Sequence, residues 1–446
     1  MHSGKLRLSL AVCCAALFAA LSPSAKAKVL CVNTAGKSPC YAKIQLAVNA
    51  AAAGDTIDVA AGTYKEDVTI GKTLSLIGAG VEATIIDASG LPNGIFMDGL
   101  DYPGLKNVTI SGFTVENAEY EGVLVVSTTG AKILENRIVN NDTIGPVFGS
   151  GPACNGQPAF ETDESGDCGG GLHLMGSVNA IVEGNLMTGN ADGILISDET
   201  AESHGNLIAG NNVTENMAEC GIVLASHPPV GSSGPYYAPH YGVDKNTVSG
   251  NISSKNGVTV GGAGVGLFSD GNGPGKVSGN SVLLNELTGN GIPGVSLHSH
   301  AGPAFGAPAD DMDGNIIVGN VISGNGADTD DTATPGTTGI NINSGGGGSP
   351  VTGTIISGNV ISGEDVDIAV NTPATLATHL NDLLGGKVGV ANICALDNPS
   401  NLKICTGAID ASENYWGCRK GPGSKGCSTT SGANIVAAPW LEFPVL

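Results

Sequence analysis

Short apolar runs that alternate with polar residues recur along the chain, and each opens on a glycine. Ile194-x-Ile196, Val265-x-Leu267 and Val295-x-Leu297 repeat with period two, as half-buried strands do. A Gly-Asn…Asn stretch precedes each run. Two clear copies are Gly210-Asn211-Asn212-Val213-Thr214-Glu215-Asn216 leading to Gly221-Ile222-Val223-Leu224-Ala225-Ser226, and Gly279-Asn280-Ser281-Val282-Leu283-Leu284-Asn285 leading to Gly294-Val295-Ser296-Leu297-His298-Ser299. The first half recurs at Asn136, Asn185, Asn251, Asn320 and Asn359, the second from Gly122, Gly171, Gly193, Gly264 and Gly339. A unit repeating with variable filler predicts a stacked array of similar turns.

Strands of four or five residues separated by Gly and Asn do not pair as long hairpins. They wind as a coil in which each strand stacks in parallel on its copy one turn later, right-handed by the bias of parallel crossovers. The predicted fold is therefore all-β, a single-stranded right-handed parallel β-helix with rungs about 4.8 Å apart. Asn at the same place in successive rungs forms a side-chain ladder, and Gly and Asn supply the left-handed corners.

The ends break the pattern. Residues 1–27 read as a signal peptide: Lys5 and Arg7, an apolar run from Leu8 to Leu21, then Ala25-Lys26-Ala27. The rival reading is a lipid anchor at Cys13 or Cys14. Residues 28–54 form an N-terminal cap with a short helix over 41–53, residues 55–371 the coil, and residues 372–446 a C-terminal helix and cap. Thr372 and Pro373 start that second helix, Leu376, Leu380, Leu383 and Leu384 give it an apolar face, and Gly385-Gly386 ends it.

Composition narrows the partners. The formal net charge is −22, and Arg137 and Arg419 are the only arginines after the signal. Such a surface repels nucleic acid and anionic membranes. No stretch suits a membrane span, and a monomer is expected. Eight of the nine cysteines beyond the signal fall in close neighbours: Cys31/Cys40, Cys154/Cys168, Cys394/Cys405 and Cys418/Cys427. In an oxidising compartment, secreted or periplasmic, these read as four local clasps. Cys220 is left over as a buried thiol.

The opening and closing stretches carry a resemblance. Ile44-Gln45-x-Ala47-Val48, Gly54-Asp55-Thr56-Ile57, Gly62-Thr63-Tyr64-x-Glu66-x-Val68-x-Ile70 and Leu76-x-Gly78 resemble the start of secreted right-handed parallel β-helix proteins. That pectin-lyase-like superfamily includes pectin methylesterases, pectate lyases and alginate epimerases. Asn414-Tyr415-Trp416-Gly417, Gly421-Pro422 and Pro439-Trp440-Leu441 resemble the terminal cap of bacterial β-helix-repeat proteins of unassigned role. The resemblance implies the fold. It carries over no catalytic residues: the Asp-Pro-His-Glu motif of alginate epimerases is absent, and the methylesterase Asp pair with Arg has no counterpart.

Aligning the Gly-Ile-x-Leu strands yields candidate chemistry. Positions one and three after the Gly are apolar and point inward. Six after the Gly the column reads Glu199, His227, Asp270 and His300 on consecutive copies, flanked by Asp198 and His298. An acid–His–acid–His line suits proton transfer on a sugar. The same four residues suit a divalent metal, or are polar residues on a solvated corner. Long insertions follow two of these rungs. One carries Tyr236, Tyr237 and Tyr241 for sugar stacking, the other Asp310-Asp311-x-Asp313 as a Ca²⁺ candidate. The expectation is an extracytoplasmic protein that binds a polysaccharide, with cleavage or epimerisation as its reaction. The alternative is a non-catalytic surface or periplasmic scaffold.

Overall fold

The computed structural model describes residues 27–445 except 143–156, 159, 162–169, 219, 228, 231–240, 270–273, 300–305, 307, 329–333, 345–347, 397–402 and 406. The chain winds as a solenoid of three long parallel sheets, with 14, 11 and 12 strands in the first, second and third. One full turn shows the rule. Leu207–Ala209 lies in the first sheet, Asn212–Thr214 in the second and Ile222–Ser226 in the third. The next turn repeats it with Thr247–Ser249, Ile252–Ser254 and Val265–Ser269, stacked in parallel register. Alternation sends Ile208, Val213, Ile222 and Leu224 inward, and one apolar cluster fills the coil from Val32 to Cys427. Burying each such side chain contributes about 1.5–3 kcal/mol.

The Asn repeats are ladders along the coil axis. Each Asn donates its backbone and side-chain N–H groups to Oδ1 of the Asn one turn later. One ladder runs from Asn136 through Asn185, Asn211, Asn251, Asn285, Asn320, Asn359 and Asn381 to Asn414. A second runs from Asn141 through Asn190, Asn216, Asn256 and Asn290 to Asn325, and ends on Glu364. Corner backbone groups that the core would otherwise leave without partners are satisfied this way.

The glycine opening each third-sheet strand has a steric origin. A Cβ on Gly193 would stand 2.2 Å from both the Gly221 carbonyl oxygen and Val213 Cγ1. Its neighbours above and below are crowded in the same way.

Both ends differ from the middle. Helix α1 is Ile44–Ala50, shorter than the 41–53 expected. It buries Ile44, Ala47 and Val48 against the coil. The Glu66 carboxylate accepts the Ile44 and Gln45 N–H groups at 2.8 and 3.0 Å, tying its first turn to the rung below. The helix expected from Thr372 is not formed: Leu376–His379 and Asp382–Leu383 are strands of one more coil turn. Leu376 and Leu383 are buried while Leu380 and Leu384 are exposed, so the four leucines share no face. Thr372 Oγ1 accepts the Val351 N–H of the preceding turn at 3.0 Å, and Asn381 carries the ladder onward. Tertiary pairing thus overrides the local helix signal.

Disulfides join Cys31 to Cys40 and Cys418 to Cys427. Cys394 and Cys405 are opposed backbone partners in an antiparallel pair. Cys154 and Cys168, with residues 1–26 of the expected signal peptide, lie outside the described residues. Cys220 is buried and its Sγ accepts the Ala263 N–H at 3.1 Å. No helix among the described residues is long and apolar enough to cross a membrane. Disulfides persist in oxidising compartments, in keeping with an extracytoplasmic protein.

Candidate active site

The aligned frame holds in register: Ile194 pairs with Ile222, Ile222 with Val265 and Val265 with Val295. Glu199 and His227 therefore follow equivalent strand ends on adjacent rungs, and they meet. His227 Nδ1 lies 2.7 Å from Glu199 Oε1. Both are buried, Glu199 at 0% and His227 at 5% relative exposure, so the solvated-corner reading does not hold for this pair. Asp270 and His300 lie outside the described residues, as do Tyr236 and Tyr237.

The pair extends into a longer chain of contacts. The Ser197 hydroxyl donates to Glu199 Oε2, and His173 Nε2 lies 2.6 Å from the same Ser197 oxygen. His173 Nδ1 faces Glu121 Oε1 at 3.3 Å and Glu161 Oε2 at 3.8 Å. Glu121 Oε2 in turn accepts the Gly170 N–H at 3.0 Å. Two imidazoles and three carboxylates, all buried, are thus linked across four neighbouring third-sheet strands.

His173, Ser197 and Glu121 were not among the residues expected from the sequence; Glu161 stands in an acidic insertion, 143–170, that the sequence offers as a Ca²⁺ candidate. The signal was present for two of them. His173 and Ser197 occupy the second and fourth positions after Gly171 and Gly193, where the side chain points away from the coil core. Both positions lie outside the column that holds Glu199 and His227. Glu121 opens a strand, one residue before its frame glycine, and Glu161 lies in an insertion, where the repeat frame carries no information.

The flanking candidates play varied parts. Asp198 accepts the His227 N–H at 2.8 Å, the Gly242 N–H at 2.5 Å and the Ser226 hydroxyl at 3.2 Å. Burial, with the Glu199 charge beside it, pushes its carboxyl up to about 7 against those backbone donors. Asp198 therefore joins Gly242 to the corner at His227. Tyr241, the residue before Gly242, is half exposed. The His298 ring packs tilted against Phe268 with ring centres 4.4 Å apart and lies 3.7 Å from Asp328 Oδ2, two rungs beyond His227.

The acidic run expected to hold Ca²⁺ is divided. Asp310 is buried, where it accepts the Ser269 and Ser299 hydroxyls and the Gly275 N–H. Asp311 accepts from Ser278, and Asp313 accepts the Thr352 N–H at 2.6 Å. Among the described residues, the His–carboxylate groups close enough to share a cation are Glu161/His173/Glu199 and Glu202/His204/Asp244. The second already holds a cation, since Lys276 Nζ lies 2.5 Å from Asp244 Oδ2 and 3.8 Å from Glu202 Oε1.

The three stacked parallel sheets give the chain the architecture of a parallel β-helix. A family model described as a right handed beta helix region matches residues 92–234. No curated protein sequence matches the chain. Among solved structures, it is similar to the catalytic domain of a GH87 alpha-1,3-glucanase in complex with tetrasaccharides. That match has 13% identity and TM-score 0.55, covering 93% of this chain and 68% of that one. The A-module of the Azotobacter vinelandii mannuronan C-5 epimerase AlgE4 aligns at 15% identity and TM-score 0.47, covering 90% and 94%. A Geobacillus virus E2 protein, ORF18, aligns at 15% identity and TM-score 0.47 over 74% of this chain, which spans 53% of its length. At these identities the likeness is one of fold.

Proposed function

We propose that the protein binds a polysaccharide along the outer face of the third sheet and acts on it by proton transfer at the Glu199–His227 pair. The observation that carries this reading is the 2.7 Å contact between the two side chains on adjacent rungs. Glu199, taking a hydrogen from Ser197 on one oxygen, takes the His227 Nδ1 hydrogen on the other. This fixes the tautomer and leaves the lone pair on Nε2, the atom that would exchange a proton with the sugar. Tyr241, half exposed beside Gly242, offers a ring for sugar stacking. The scarcity of arginine favours a neutral glycan over a uronate. A coil of this type holds tetrasaccharides in the GH87 glucanase, which supports the choice of ligand class.

The test is incubation of the tag-free protein, lacking residues 1–27, with a panel of neutral and uronate polysaccharides, followed by product analysis by mass spectrometry. New reducing or unsaturated ends mark cleavage, and solvent deuterium incorporated at a sugar carbon without chain shortening marks epimerisation. Either result, lost in Glu199→Gln with binding retained, supports the reading. No binding and no product across the panel overturns it in favour of a non-catalytic scaffold.

A further inference from the structure

The hydrogen-bond chain around His173 fixes that residue's protonation pattern too. Ser197 has one hydroxyl hydrogen and gives it to Glu199. Its oxygen must therefore accept from His173, so the hydrogen of His173 sits on Nε2. Nδ1 then directs a lone pair at two carboxylates, Glu121 at 3.3 Å and Glu161 at 3.8 Å. A second proton on Nδ1 would draw a carboxylate to about 2.7–2.9 Å, the length of a charge-assisted hydrogen bond. The observed separations are longer. They approach the spacing of about 3.3 Å between neighbouring ligand atoms in a tetrahedral zinc site with bonds near 2.0–2.1 Å.

The surroundings agree. His173, Glu161 and Glu199 each offer a ligand atom, all within 4.8 Å of one another and all buried. The hydroxyl of Ser197 holds the far nitrogen of His173, as a ligating imidazole is usually held. Among the described residues the cluster is one imidazole with carboxylates and no thiolate, which matches the donor preference of zinc and its first-row neighbours. Calcium takes oxygen alone.

We propose that Glu161, His173 and Glu199 form a buried binding site for a divalent transition-metal ion of the zinc type. The inference does not rest on the glycan reading, and its test uses no sugar. Tag-free protein is stripped with a chelator, and zinc is returned by equilibrium dialysis and counted by elemental analysis. The expected result is one zinc per chain with a raised melting temperature, and at least a tenfold loss of affinity in His173→Gln and in Glu161→Gln. X-ray absorption of the zinc-loaded wild type gives a second reading should those variants fail to fold. Imidazole scattering within a nitrogen and oxygen shell is expected, with no sulfur. Failure of the folded wild type to take up zinc, manganese or cobalt stoichiometrically overturns the proposal. So does unchanged affinity in folded His173→Gln, or a sulfur-containing shell.

Discussion

Asn216 donates both its backbone and its side-chain N–H to one oxygen, Oδ1 of Asn256 on the next turn, at 3.2 and 2.9 Å. It receives the same pair of hydrogens from Asn190 at 3.2 and 3.1 Å. Asn216→Ala strands the two Asn190 donors in a buried corner, each at a cost of about 1–3 kcal/mol. The expected outcome is a loss of several kcal/mol, seen as a clear fall in melting temperature by circular dichroism. A melting curve identical to wild type would show that the ladder adds nothing to stability.

Two glycines separate space from backbone conformation. Gly193 has no room for a Cβ, as the 2.2 Å approaches show. Gly210 has open space but a φ of +60°. Gly193→Ala forces neighbouring rungs apart, with a loss of about 1–3 kcal/mol or more. Gly210→Ala pays only the left-handed penalty of about 1–2 kcal/mol. Chemical denaturation of both variants should rank Gly193→Ala as the more damaging.

The proposed catalytic pair is expected to act as a unit. With a substrate in hand, Glu199→Gln and His227→Ala are each expected to lower turnover by about 10²–10⁴-fold. The double variant should be little worse than the more impaired single one. Multiplicative losses would mean that the two side chains act separately.

Asp67 supplies a pH signature far from that site. Burial pushes its carboxyl up to about 6, against the Asn93 backbone N–H. The folded chain thus holds this proton more tightly than the unfolded chain, whose group titrates near the ordinary 3.8. The resulting stabilisation is complete below the unfolded value and is lost as pH rises through about 6. Asp67→Asn removes the titration. The melting temperature of the variant relative to wild type should therefore climb between pH 4 and pH 7, and a flat difference would contradict the assignment.

The fold was legible because repetition writes it many times over. The Asn136-to-Asn414 ladder and the inward Ile194, Ile222 and Val265 obey one rule that a single chain states repeatedly. Where the chain departs from the rule, local signals misled: Thr372-Pro373 followed by spaced leucines satisfies the helix criteria, yet pairing with Ile355–Ser357 makes Leu376–His379 a strand. The contact between Glu199 and His227 was legible in the repeat, since they share a column. The rest of the site was not. His173 reaches Glu121 and Glu161 through side-chain directions and an insertion, which column alignment does not encode.

Every amide in the two long ladders points the same way, hydrogens toward the later turns. Side-chain dipoles aligned head to tail add, as peptide dipoles do in a helix. Each ladder therefore has electrical polarity along the coil axis, its C-terminal end positive. Glu364 sits at that end of the second ladder, where another Asn would continue the series, and it accepts both hydrogens of Asn325 at 3.0 and 3.2 Å. A carboxyl group terminates the stack of amides and meets its positive end, just where the run of ladder asparagines gives out.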